Sequence, residues 1–107
     1  MKILDMLEDM VRDVHRMAEK VARHDRDLAA QMKRAATSAA LNGSEGVWAK
    51  AGKRRSRLED AVNSTRETLM TLRIARACGY LPAADAAAGM RTVDGVAAVL
   101  WVLAFRK

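Results

Sequence analysis

Five cations fall within eight residues, Lys50, Lys53, Arg54, Arg55 and Arg57, with no carboxylate among them. Such a run offers phosphate-binding chemistry, because each Lys or Arg that meets a phosphate releases condensed counterions. Arg66 and Arg73, followed by Arg76, continue the positive character downstream. Trp48, just before the run, supplies an aromatic face on which an unpaired base stacks, which favours single strands or RNA loops. The competing reading of the same residues is a solvated basic loop with Trp48 packed beneath it.

Other chemistry is poorly supplied. His15 and His24 are nine residues apart, so they do not form the i, i+4 pair that places two metal ligands on one helical face. Cys78 is the only cysteine, which excludes an internal disulfide. The chain has no glycine loop of the P-loop or dinucleotide-binding type and no G-x-S-x-G nucleophile turn. The expectation is a protein that is not an enzyme and holds neither metal nor cofactor.

One further constellation is polar. Gln31, Ser38, Asn42 and Glu45 recur with Ala35 at steps of four and three, and Ser64, Glu67 and Thr71 face them from a later helical segment. Di-metal bundles build their sites from Glu-x-x-His pairs, and none is present. The row therefore reads as a hydrogen-bonded seam that fixes helix register, since buried polar groups must find partners.

The elements that carry these residues are helical. Ala, Leu, Met, Arg and Glu dominate a 107-residue chain with one proline, and these residues lose little rotamer freedom in a helix. Ile3, Leu7, Met10, Val14, Met17 and Val21 mark a bundle-facing stripe, widened by Leu4, Val11 and Ala18. Asp25 offers an N-cap for a second helix, with Leu28, Met32, Ala35, Ala39 and Gly46 along one side. The segment between Gly46 and Leu58 reads as a basic loop. Ser56 and Glu59 form an S-x-x-E capping box that starts a third helix at Arg57. Leu58, Val62, Leu69, Leu72 and Ala75 carry that helix to Gly79, and Pro82 suits the first turn of a fourth.

The pattern predicts an all-α, antiparallel up-down four-helix bundle in one domain spanning 1–107, with helices at about 2–23, 27–47, 57–78 and 82–105. The run from Val96 to Phe105 is apolar on every face, whereas a bundle helix buries one stripe. Trp101, Val102 and Phe105 are thus expected at a subunit interface of a homo-oligomer. That run is about half the ~20 residues that cross a bilayer, so no membrane association is expected.

The net charge of +6 and a pI near 10.1 point to an anionic partner. Residues 1–27 hold six Lys/Arg and seven Asp/Glu, and residues 28–107 hold thirteen and six, so the excess lies beyond the first helix. The single cysteine and the lack of a leader pattern suggest the cytoplasm.

Leu28, Gln31, Arg34, Ala35, Ser38, Asn42, Glu45 and Gly46 stand at the spacings of L-x-x-Q-x-x-R-A-x-x-S-x-x-x-N-x-x-E-G. Ala61, Ser64 and Glu67 add A-x-x-S-x-x-E, followed by Leu72, Ala75 and the Gly79-Tyr80-Leu81 turn. Over residues 28–81 the chain resembles a family of bacterial four-helix-bundle proteins first noticed as reading frames in intervening sequences of large-subunit ribosomal RNA genes. The first helix departs from it, reading Leu7 to Val14 where the family commonly opens with an aromatic.

The same superfamily contains the accessory variability proteins of diversity-generating retroelements, which are pentameric and bind a reverse transcriptase and nucleic acid. The resemblance implies a homopentamer and a non-catalytic accessory role, with RNA or DNA and a reverse transcriptase as partners and no catalytic residues. Two functional readings follow: a nucleic-acid-binding accessory protein, or a protein-interaction scaffold whose cations only confer solubility.

Overall fold

The computed structural model describes residues 2–106. It contains α1 (Lys2–Ala22), α2 (Arg26–Trp48), α3 (Ala51–Ala77) and α4 (Ala83–Phe105). Each helix packs on its sequence neighbours, and α4 closes the ring against α1. The chain is all-α, an up-down bundle 43 Å long, and no strand occurs among the described residues.

In α1 the expected stripe faces the core. Ile3, Leu7, Met10, Val14, Ala18 and Val21 are buried, while Met17, Leu4 and Val11 flank it half-buried. Asp25 starts α2 as expected. Its backbone is extended and its carboxylate accepts the Leu28 N–H at 2.9 Å, satisfying one otherwise orphaned donor.

At the other end of α3, Gly79 adopts φ +75°, a conformation that glycine takes without strain. The Gly79 N–H donates to the Arg76 carbonyl at 3.1 Å and the Tyr80 N–H to that of Ala75 at 2.8 Å. This is a Schellman closure. Pro82 lies one position earlier than expected, as the N-cap of α4 rather than inside its first turn. The His24 and Tyr80 rings stack at 5.2 Å, nearly parallel, and join the α1–α2 turn to the α3–α4 turn.

Small residues set the helix spacing. A Cβ on Gly46 would lie 2.7 Å from Leu58 Cγ and 3.1 Å from the Leu58 backbone nitrogen, so α2 and α3 approach closely only because position 46 has no side chain. Helix α3 also buries Thr65, Thr68 and Thr71. Their hydroxyls donate to the carbonyls of Val62, Ser64 and Thr68 at 2.6–2.8 Å, so burial leaves none of them unpaired.

Helix α4 is long and apolar enough to cross a membrane by length and composition, a length that the run from Val96 alone does not show. In this structure it lies in the bundle, with Ala86, Gly89, Val93, Val96, Leu100 and Ala104 turned into the core.

Candidate nucleic-acid interface

The segment read as a basic loop is helix. Helix α3 begins at Ala51, six residues before the expected Arg57, and only Ala49 and Lys50 separate it from α2. Ser56 lies inside α3 and caps nothing. The N-cap is Lys50, which makes no side-chain cap bond. The reversal is taken instead by Ala51, whose φ of +47° places a non-glycine residue in the left-handed region. Lys and Arg are good helix formers, so a charge run bounded by no proline extends a helix as readily as it breaks one.

Cations at a helix N-terminus oppose the macrodipole, and local partners offset this. Arg57 pairs with Glu45 of α2 at 3.2 Å and reaches Asn42 Oδ1 at 3.5 Å. Arg55 pairs with Glu59 at 3.0 Å. Its guanidinium also lies 5.1 Å over the Phe105 ring. Arg54 donates to the Val47 carbonyl at 2.9 Å.

Lys50, Lys53, Arg66 and Arg73 are exposed and have no ion-pair partner among the described residues. The expected patch therefore divides by the geometry of α3. Arg55, Arg66 and Arg73 are separated by eleven and seven residues, whole numbers of helical turns, and form one row. That row spans about 27 Å at ~1.5 Å per residue. It borders α4, since Arg55 meets Phe105 and Arg66 lines a hollow with Trp101. Lys53 and Arg57 lie on the opposite edge, beside α2. Trp48 is 70% exposed at the end of α2 rather than packed beneath the cations.

The polar seam forms in part. Ser38 and Ser64 share a hydrogen bond of 2.9 Å across α2 and α3, and the Asn42 amide donates to Ser38 Oγ at 3.2 Å. Glu45 leaves the seam for Arg57. Gln31 and Glu67 line an adjoining groove of about 480 Å³ with Arg34, Met70 and Ile74. Thr71 turns its hydroxyl to its own helix. Among the described residues no cluster of His, Cys, Asp and Glu is arranged to hold a metal.

Trp101, Val102 and Phe105 are exposed on α4, as the all-round apolar pattern suggests. Sequence reasoning missed Asn63 and Arg106, which line hollows with these aromatics. For Asn63 a signal existed: Glu59, Asn63 and Arg66 recur at steps of four and three. Arg106 had no such signal, because its place follows from how α4 ends against α3.

The structure resembles, with a TM-score of 0.88, the crystal structure of a protein of unknown function from the S23 ribosomal protein family of Bacteroides thetaiotaomicron. The two share 14% identity over 96% of this chain and 98% of that one. No curated protein matches the sequence. The family model for the 23S rRNA-intervening sequence protein matches residues 1–101. The chain therefore belongs to the 23S rRNA-intervening sequence protein family.

Proposed function

We propose that this is a non-catalytic RNA-binding accessory protein that acts in the cytoplasm as a homo-oligomer. The observation that carries the reading is the row of Arg55, Arg66 and Arg73 along one edge of α3. A cationic row on a rigid helix follows an extended phosphate backbone without first being ordered, so less entropy opposes binding. Membership in an rRNA-associated family supports RNA as the ligand. The retroelement resemblance extends this to a finer role, that of a reverse-transcriptase accessory factor.

Self-association is part of the reading. Met70 and Ile74 are exposed on α3 beside the α2–α3 groove, Leu41 on α2 facing the α1 side, and Val102 on α4. Met70 and Ile74, one turn apart and lining one groove, form an apolar surface that favours contact with another protein. They also support the second reading, a protein-interaction scaffold that binds no nucleic acid.

Filter binding of single-stranded and structured RNA at two salt concentrations, with a mass measurement of the free protein, separates the readings. The proposal expects RNA binding that weakens steeply with salt and a mass above the 11.8 kDa of one chain. Absence of salt-sensitive binding refutes the RNA role, and a monomer refutes the assembly.

A further inference from the structure

We infer that the α3–α4 corner of the bundle holds one unpaired nucleotide of a single strand, its base against Trp101 and its phosphate among Arg54, Arg55 and Arg106. The inference rests on the RNA-binding reading above and assigns it a site and a substrate class.

Two hollows lie side by side at this corner and meet at Phe105. The first, of about 200 Å³, is lined by Glu59, Val62, Asn63, Arg66, Trp101 and Phe105. It is smaller than the ~300 Å³ at which pockets begin to enclose drug-sized ligands, which suits a single planar base. Trp101 and Phe105 meet at 46° with centroids 4.2 Å apart, so their rings do not stack flat on each other. Trp101 stays 49% exposed. Its indole is a stacking platform, while Arg55 already occupies the Phe105 ring. Asn63 donates and accepts and Glu59 accepts, which matches the edge groups of a base, while Arg66, in the row with Arg73, is left for a neighbouring phosphate.

The second hollow, of about 370 Å³, is lined by Arg54, Arg55 and Arg106 with Ala51, Leu103, Ala104 and Phe105, and no carboxylate among the described residues lines it. The positive end of the α3 dipole at Ala51 meets the negative end of the α4 dipole at Phe105, so the charge of this hollow comes from its three arginines. Arg54 is anchored by the Val47 carbonyl and Arg55 by Glu59. Each guanidinium has five N–H donors, so both are held in place with donors left for phosphate oxygens. The charges also set the ligand's orientation. Glu59 repels a phosphate from the first hollow, and in the second the Phe105 ring is already covered by Arg55, so a base finds no free aromatic face there.

Replacing Trp48 by Phe leaves Trp101 as the sole tryptophan reporter. Titrating this protein with single-stranded RNA and DNA 10-mers and with an RNA duplex is expected to quench Trp101 for the single strands and not for the duplex. Trp101→Ala should weaken single-strand binding about ten-fold, the scale of one base–aromatic stack. Arg106→Glu, at the exposed end of α4, should weaken it by a similar factor, and remains informative if Trp101→Ala does not fold.

RNA bound without quenching, and with undiminished affinity in Arg106→Glu, overturns this site but leaves RNA binding intact. No RNA binding at all overturns both. A larger assembly that falls to a monomer in Trp101→Ala assigns the surface to a second copy of the chain and overturns the nucleotide site.

Discussion

The Arg54 guanidinium donates to the Val47 carbonyl at 2.9 Å and reaches that of Gly46 at 3.5 Å, so a residue of α3 closes the C-terminal end of α2. The last carbonyls of a helix lack intrahelical partners, and a cation there also complements the dipole. Arg54→Ala is expected to destabilise the fold by about 1 kcal/mol. Lys53→Ala, one residue away and without an ion-pair partner among the described residues, should stay within ~0.5 kcal/mol of the parent. Urea denaturation of the two variants checks this. Equal stabilities would show that the Arg54 contact contributes nothing.

Gly46 and Gly95 make a second contrast. Alanine is favoured over glycine in a helix by about 1 kcal/mol. At Gly95 none of the described residues lies within 4 Å of the added methyl, so Gly95→Ala should stabilise. At Gly46 the methyl meets Leu58 at Cγ and at the backbone nitrogen, neither of which is a flexible end that can swing away. Overpacking of that kind costs roughly 1–3 kcal/mol, which exceeds the helix gain. Gly46→Ala is therefore expected to lower Tm, and Gly95→Ala to raise it, in a thermal melt.

The Ser38–Ser64 hydrogen bond tests whether the signature residues set helix register. Removing either hydroxyl leaves the other without its partner across the helices, although Asn42 still reaches Ser38. Ser64→Ala and Ser38→Ala should each cost about 1 kcal/mol. The double variant should cost less than their sum, with a coupling of at least ~0.5 kcal/mol. Additive losses in the cycle would show that the two serines act independently.

What was legible in the sequence was whatever periodicity and local capping determine. The α1 stripe, Asp25 and Gly79 each act within a turn or two of their own position, and each stands where the pattern places it. The start of α3 was not legible, because a run of Lys and Arg satisfies helix and loop equally. What decided it was tertiary: Glu45, Glu59 and the Val47 carbonyl supply partners that a cationic helix terminus otherwise lacks. The S-x-x-E spacing at Ser56 misled for the same reason, since Ser and Glu at that spacing also fit inside a helix. The hollows at Trp101 and Arg106 depend on where the end of α4 meets the start of α3, a relation between residues about fifty apart that no local pattern encodes.

The division of α3 into two edges gives a prediction about which cations bind. Lys53, Asp60 and Glu67 recur at steps of seven on the edge toward α2, where Glu45 also lies, so the field there is mixed. Arg66 and Arg73 continue the row begun by Arg55 on the α4 edge, and only Glu59 interrupts it. A strand lying along that edge meets Arg66 and Arg73 together, and each phosphate contact with a single strand contributes about 0.7 to the slope of log affinity against log salt. Arg66→Glu with Arg73→Glu should flatten that slope by about 1.4. Lys53→Glu with Arg57→Glu should flatten it less. Filter binding of a single-stranded RNA across a salt series measures both slopes. A larger loss from the Lys53 and Arg57 pair would move the binding surface to the α2 side of α3.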